Sequence, residues 1–351
     1  MPRGVAPPRE ATGGGRLPGL DGLRCLAILP VVFHHTTFRP MEGALGRGPL
    51  GVDLFFATSG FLITTLLLRE RARTGRVALG AFWMRRALRI FPLYYLVLAL
   101  HVAWALALPK QSGMRASFFE GLPFYATYTG NWFPPTTPGP QPFAFSWSLA
   151  VEEQFYLAWP PLLALARRRV TAGALLGALV AVDQLAEAGL IPLPPLALRI
   201  VTSASTPIAL GALLAVLLDE PRARAAIAPI LGSPLAGVTL WALFVLAFAA
   251  PLPILLVHAA FAALVARTAL GGGWEERFLE SRPLSFVGQV SYGVYLLHVT
   301  VLGGVKALVP AARESPGLLF ALGAPLSIGA GAASFYAIER PLARLRERLR
   351  R

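Results

Sequence analysis

The sequence predicts an all-α, polytopic membrane protein with about ten transmembrane helices and both termini in the cytoplasm. Three observations predict it. Hydrophobic residues make up 55% of the 351 and only 14% are charged, whereas a soluble domain carries roughly a quarter charged residues; mean hydropathy is +0.60. Ten apolar runs are each long enough to cross the hydrocarbon core, which takes about 20 helical residues. Of the 32 Lys and Arg residues, 25 fall at the chain ends, in alternate gaps between those runs or at the run ends that border them. This is the positive-inside asymmetry, and it puts those gaps and both ends on the cytoplasmic side. The formal charge of +14 is therefore a topology signal. Its arginines do not line one soluble face, so nucleic acid is excluded as a partner and the lipid bilayer takes its place.

The elements follow in order. Residues 1–16, rich in Pro, Gly and Arg, read as a disordered cytoplasmic tail, and 344–351 as a basic cytoplasmic tail; 17–343 form one transmembrane domain. The first span, 22–38, holds ionisable residues and lacks a small-residue cleavage site, so it is not a signal peptide. It carries Arg24 and His35, whose 11 intervening steps of about 100° return to within about 20° of one face. At 1.5 Å per residue they stand about 16 Å apart along the axis. Pro30 lies between them as a bend, and His34 is turned about 100° away. The second span, 50–68, runs outside to inside and places Asp53 near the outer end, at the depth of His35. The third, 90–108, is opened by Phe82-Trp83-Met84-Arg85-Arg86-Ala87-Leu88-Arg89-Ile90-Phe91-Pro92. Arg86 and Arg89 share a face there at the helix start, where guanidinium forks suit phosphate groups.

The outer loop 109–146 is the longest, and reads either as an interfacial segment or as a cover over an outer cavity. The fourth span, 147–166, starts outside and carries Glu152 and Glu153 about six residues in. In the fifth, 172–190, Asp183 and Glu187 lie near the outer end and reach water. The sixth, seventh and eighth are 198–218, 233–250 and 252–270. His258 in the eighth, like His101 in the third, reads as a satisfied core residue. The ninth, 285–307, presents Tyr295 and His298 on one face of its outer half, and the tenth, 317–338, is closed by Glu339-Arg340-Pro341. The lone cysteine, Cys25, rules out an internal disulfide and packs as a small residue.

A charge inside the bilayer costs several kcal/mol, so such residues pair, line a wet cavity and mark working sites. Here an imidazole and up to three carboxylates share the outer half, the arrangement in which an acid fixes the tautomer of a histidine base. The structural alternative is an interhelical polar pair with a snorkelling arginine. Neither a His-x-x-x-His pair nor a Cys cluster occurs, so no metal site is expected. The absence of a phosphate-binding glycine loop speaks against nucleotide hydrolysis.

Six motifs occur in order. They are Asp-Gly-Leu-Arg with Arg-x10-His at Arg24 and His35, and Gly-Val-Asp-Leu-Phe-Phe-x-x-Ser-Gly-Phe-Leu at 51–62. Arg-x-x-Arg follows at Arg86 and Arg89, then Ser-Trp-Ser-Leu-x-Val-Glu-x-x-Phe-Tyr at 146–156. Ser-Tyr-x-x-Tyr-Leu-x-His at 291–298 and Glu-Arg-Pro at 339–341 complete the set. Together they resemble the membrane-bound acyltransferase-3 family, the bacterial O-acyltransferases of polysaccharides, lipopolysaccharide and small metabolites. The resemblance implies a multi-pass protein of the bacterial inner membrane. It would transfer an acyl group, acetyl by default, from cytoplasmic acyl-CoA as co-substrate, with no permanently bound cofactor. The acceptor would be a hydroxyl of a glycan, a lipid-linked sugar or a small molecule.

His35 would be the general base, oriented by Asp53 or Glu152, with an acyl-histidine as a mechanistic variant. Arg24, Arg86 and Arg89 would hold the CoA phosphates, and Ser59, Trp147, Glu153, Tyr156, Tyr292, Tyr295 and His298 would contact substrate. One departure is Ser205-Thr206-Pro207-Ile208-Ala209-Leu210-Gly211, where the family often has a charged residue, so acceptor contacts at that helix are in doubt. Some relatives add an extracytoplasmic hydrolase-like domain, for which this sequence leaves no room. The rival readings are a transporter or flippase of lipid-linked sugars and a non-catalytic scaffold. The scaffold is disfavoured because the costly buried residues are all present.

Overall fold

A helix occupies each of the ten apolar runs, and among the described residues no strand occurs. The computed structural model describes residues 17, 19–37, 46–138, 140–166, 168–203 and 205–348. The tail at 1–16, Arg39, Arg167 and the last three residues lie outside them. In chain order the helices are α1 (Leu20–His34), α2 (Leu50–Thr74), α3 (Leu79–Ala107), α4 (Gly113–Ala126) and α5 (Trp147–Leu165). Next come α6 (Arg169–Glu187), α7 (Pro195–Thr202), α8 (Thr206–Asp219), α9 (Pro221–Gly232) and α10 (Pro234–Ala249). The last are α11 (Ile254–Leu270), α12 (Glu276–Leu279), α13 (Arg282–Leu308), α14 (Pro316–Ser334) and α15 (Arg340–Arg348).

Among the described residues six helical stretches are long and apolar enough to cross a bilayer, or seven if α9 and α10, bent by 72°, count as one broken span. The chain is thus a multi-pass membrane protein, but this set is smaller than the ten runs of the sequence. The shortfall has local causes. α1 has 15 residues and α11 has 17, while the Glu152-Glu153-Gln154 run dilutes the apolarity of α5. Large apolar side chains lie exposed along α3 (Leu96, Leu100), α6 (Leu175, Val182) and α10 (Val238, Val245), the pattern of surfaces that meet lipid rather than water.

Several boundaries depart from the sequence reading. α1 stops at His34 instead of running to 38, because Thr36 and Thr37 turn their hydroxyls back onto the carbonyls of Phe33 and His34. His35 is consequently the C-cap of α1, not an interior residue. The sixth span is split into α7 and α8, with Pro207 in the first turn of α8, where its missing N–H costs nothing. The long outer loop contains a helix of its own, α4. α4 is pinned to α3 through Tyr94, whose hydroxyl donates to the Tyr125 carbonyl at 2.8 Å. A π-helical turn, Phe335–Glu339, joins α14 to α15.

Close helix packing holds the centre. Gly60 of α2 and Gly211 of α8 face one another reciprocally: a Cβ on either would collide with the carbonyl of Ile208 or Ala57. Gly288 of α13 rests in the same way on the Asp21 carbonyl of α1. Such small residues let backbones approach where no hydrophobic effect drives helices together. At the α9–α10 elbow, Ser233 breaks the helix, and Arg267 of α11 donates to the freed carbonyls of Leu231 and Ser233. Its charge is met by Glu275 at 2.6 Å, both residues being buried. A buried cation is tolerated only when paired and hydrogen-bonded in this way.

Candidate functional site

α1 carries the two ends of the site. At its C-cap, His35 directs Nδ1 at the Val31 carbonyl, 2.9 Å away. A proton on Nδ1 makes that bond and leaves Nε2 as the basic nitrogen. Nε2 has no hydrogen-bond partner among the described residues. The His35 ring packs edge to face on His298 of α13, centroids 4.7 Å apart. His298 is 0% exposed; its Nδ1 lies on the Tyr295 carbonyl and its Nε2 is buried without a hydrogen bond. Tyr295 is fixed in turn by its hydroxyl, which donates to the Phe145 carbonyl (2.7 Å) and accepts from Ser148 Oγ (2.6 Å). The motif beginning at Ser146 and the one ending at His298 therefore meet.

The expected carboxylate partner of His35 is not there. Among the described residues no acid lies at ion-pair distance from His35, and a backbone carbonyl orients the ring instead. Asp53 Oδ2 stands 3.3 Å from His258 Nε2, which corrects two expectations at once: Asp53 does not orient His35, and His258 is not a self-contained core residue. The reason is azimuth. Gly51 is the face of α2 that packs on the Ala27 carbonyl of α1. Two residues of about 100° each carry Asp53 to nearly the opposite side, towards α11.

Glu152 does not face the imidazole either. It accepts from Ser59 Oγ at 2.7 Å and from the Tyr156 hydroxyl at 3.3 Å. The Arg86 guanidinium lies over the Tyr156 ring, 4.5 Å from its centroid. Arg24, 3.8 Å from Asp21, is within electrostatic reach of Arg89, Glu152 and Tyr156, and Arg86 within reach of Arg89, Glu152 and Glu153. The three arginines, Ser59, the two glutamates and Tyr156 are thus brought together into one polar cluster. Glu153 Oε1 is buried there without a hydrogen bond. Trp83 closes the wall by donating to the Tyr156 carbonyl at 3.0 Å, and Tyr292 donates to the Ile90 carbonyl at 2.7 Å. Trp147 is separate: 42% exposed, it stacks edge-on against Phe56.

Sequence reasoning passed over three contributors. Asp21, three residues before Arg24, was legible as an i, i+3 pair. Ser148, the second serine of its motif, had no visible partner until Tyr295 was placed. The Val31 carbonyl has no sequence signal. A cavity of about 400 Å³ lies elsewhere, among the ends of α2, α6 and α8. Two of its three arginines are engaged: Arg71 with the carbonyls of Leu163 and Ala166, and Arg169 with Asp219. Among the described residues no group of three His, Cys, Asp or Glu could hold a metal ion.

The fold and site define a class: a multi-pass helical membrane protein with an imidazole pair, His35 half-buried and His298 buried, at one end of a helix and clustered arginines towards the other. The chain belongs to the acyltransferase-3 family, whose profile, described as an acyltransferase domain, matches residues 17–336. It is 35% identical over 157 residues to YrhL of Bacillus subtilis, a protein provisionally named a peptidoglycan O-acetyltransferase. It is also 35% identical over 153 residues to the peptidoglycan O-acetyltransferase OatA of Listeria monocytogenes. Each stretch is 42% of this chain and 24% of the relative, so the match spans about a quarter of those proteins. No solved structure matches the chain significantly.

Proposed function

We propose that this protein is an integral-membrane O-acetyltransferase that moves an acetyl group from cytoplasmic acetyl-CoA to a hydroxyl of an extracytoplasmic glycan. Peptidoglycan is the leading acceptor, as the names of its relatives suggest. The observation that carries this reading is His35. Its tautomer is set by Val31, its Nε2 is unengaged among the described residues, and it is backed by the buried imidazole of His298 at one end of a helix whose other end joins an arginine cluster. The charge asymmetry of the sequence supports a cytoplasmic arginine end with both chain ends on that side.

In this mechanism Arg24, Arg86 and Arg89 hold the CoA phosphates, which guanidinium forks suit. The thioester lies along the α1 face beside His35. His35 Nε2 takes the acceptor hydroxyl proton as the oxygen attacks the thioester carbonyl. The C–S bond breaks, the thiolate leaves, and the imidazolium returns the proton to it. Two-step passage through an acyl-histidine uses the same nitrogen as nucleophile.

The test is reconstitution with acetyl-CoA and peptidoglycan fragments, reading acetyl ester by mass spectrometry. His35→Ala should lower the rate about 10²–10⁴-fold, the usual contribution of a general base, while inserting normally. Near-wild-type ester formation in that variant overturns the assignment. Transport of lipid-linked sugar without ester formation would replace the transferase reading with the flippase one.

A further inference from the structure

A second polar cluster lies apart from the imidazole pair, where the N-terminal ends of α2, α8 and α11 meet the C-terminal end of α6. His258 is 8% exposed and Asp183 is 2% exposed. Among the described residues neither ring nitrogen of His258 makes a hydrogen bond, and Asp183 Oδ1 is likewise without one; Nε2 stands 3.3 Å from Asp53 Oδ2. Asp183 Oδ2 takes both the backbone N–H and the hydroxyl of Thr206. Gln184 Nε2 bridges from Thr206 Oγ1, at 3.0 Å, to Glu187 Oε2, at 3.3 Å. Glu187 is exposed, so the cluster runs from the surface inward. His258 is within electrostatic reach of Asp183 and Glu187, and Glu187 of Asp53.

A pair built only to tie α2 to α11 would satisfy its ring nitrogens, because an orphaned buried polar group costs about 1–3 kcal/mol. Unmet donors and acceptors in a buried cluster open to the surface call for a ligand that supplies both. No metal site is formed among the described residues, and three carboxylates disfavour an anion. Carboxylates accept two adjacent O–H groups, while imidazole and amide each both donate and accept. That is the complement of vicinal hydroxyls.

We infer that Asp53, Asp183, Gln184, Glu187, Thr206 and His258 form a saccharide-binding subsite that holds the acceptor glycan. Its being the acceptor's site rests on the transferase reading; its being a sugar site does not.

The experiment uses the full chain in phospholipid nanodiscs, which bring no sugar detergent. Binding of N,N′-diacetylchitobiose is followed by calorimetry, and a parallel arm puts an N-acetylglucosaminyl lipid in the disc to separate a free glycan from a lipid-linked one. His258→Gln should weaken binding about tenfold, the equivalent of one good hydrogen bond. Glu187→Gln, on the exposed rim and without risk to folding, should weaken it less, and acetyl-CoA binding should stay unchanged in both. Failure of the wild type to bind either sugar overturns the subsite, as does equal sugar affinity in the wild type and both variants. Variant-sensitive sugar binding without any acetyl ester formation supports the subsite and removes the transferase reading.

Discussion

The two ends of α1 treat their buried polar groups differently. At the Arg24 end, charge is answered by charge: Asp21, Glu152 and, through Arg86, Glu153 surround the guanidinium groups. At the His35 end no acid is at hand among the described residues, and the ring is held by a carbonyl and the edges of the His34 and His298 rings. A network of paired charges must be complete to be stable, so removing a member should cost folding energy. An imidazole held by a carbonyl and rings can lose its basic nitrogen with little structural penalty. The first end should therefore fail as structure and the second as chemistry.

The strongest way to break this contrast is to detach α1 altogether. Gly288→Val drives a branched side chain into the Asp21 carbonyl, and overpacking against backbone costs about 3 kcal/mol or more; no folded protein should be recovered in a detergent-stability assay. Glu152→Ala comes next. It strips the Ser59 hydroxyl of its acceptor and leaves Arg24 and Arg86 undercompensated, a loss of about 2–3 kcal/mol, read as a lower thermal midpoint. His35→Ala, by contrast, should move that midpoint by less than about 1 kcal/mol although it removes turnover. Equal midpoint losses in the two variants would erase the distinction.

Tyr295→Phe loses the bonds to Phe145 and Ser148 and should cost about 1 kcal/mol, with a partial fall in rate as His298 loosens. The smallest effect lies outside the membrane. Glu120 of α4 is held at about 2, below its ordinary 4.5, by the hydroxyls and N–H groups of Thr137 and Thr136. Because the folded value is depressed, its support of the 136–137 turn is complete above about pH 4.5 and fades as pH falls towards 2. Hydrogen exchange at those two amides should accelerate over that window, and Glu120→Gln should show the acid behaviour already at neutral pH.

How much was legible depended on whether one helix or several decided the answer. The spacing of Arg24 and His35, the shared face of Tyr295 and His298, and the pairing of Arg86 with Arg89 follow from one helical period. The partners did not follow. Asp53 and His35 share a depth in the sequence reading, but the turn of α2 about its axis is set by Gly51 against α1, a tertiary contact that no local pattern encodes. Glu152 was likewise assigned by depth and lies with Ser59 and the arginines. The missed break after α1 has a local signal, Thr36-Thr37, yet it sits inside an apolar run whose hydropathy masks it, and α9 falls in the gap before the seventh run. The short α4 lies in what reads as loop because its 14 residues fall short of a span.

One consequence follows from His35 capping the same rod that bears Arg24. The guanidinium-to-imidazole separation is written in helical rise, about 1.5 Å per residue, so α1 acts as a ruler for whatever molecule stretches between them. Adding a single alanine after Leu26 would lengthen the gauge by that increment and swing the ring about 100° off register, leaving every side chain present and the measurement wrong.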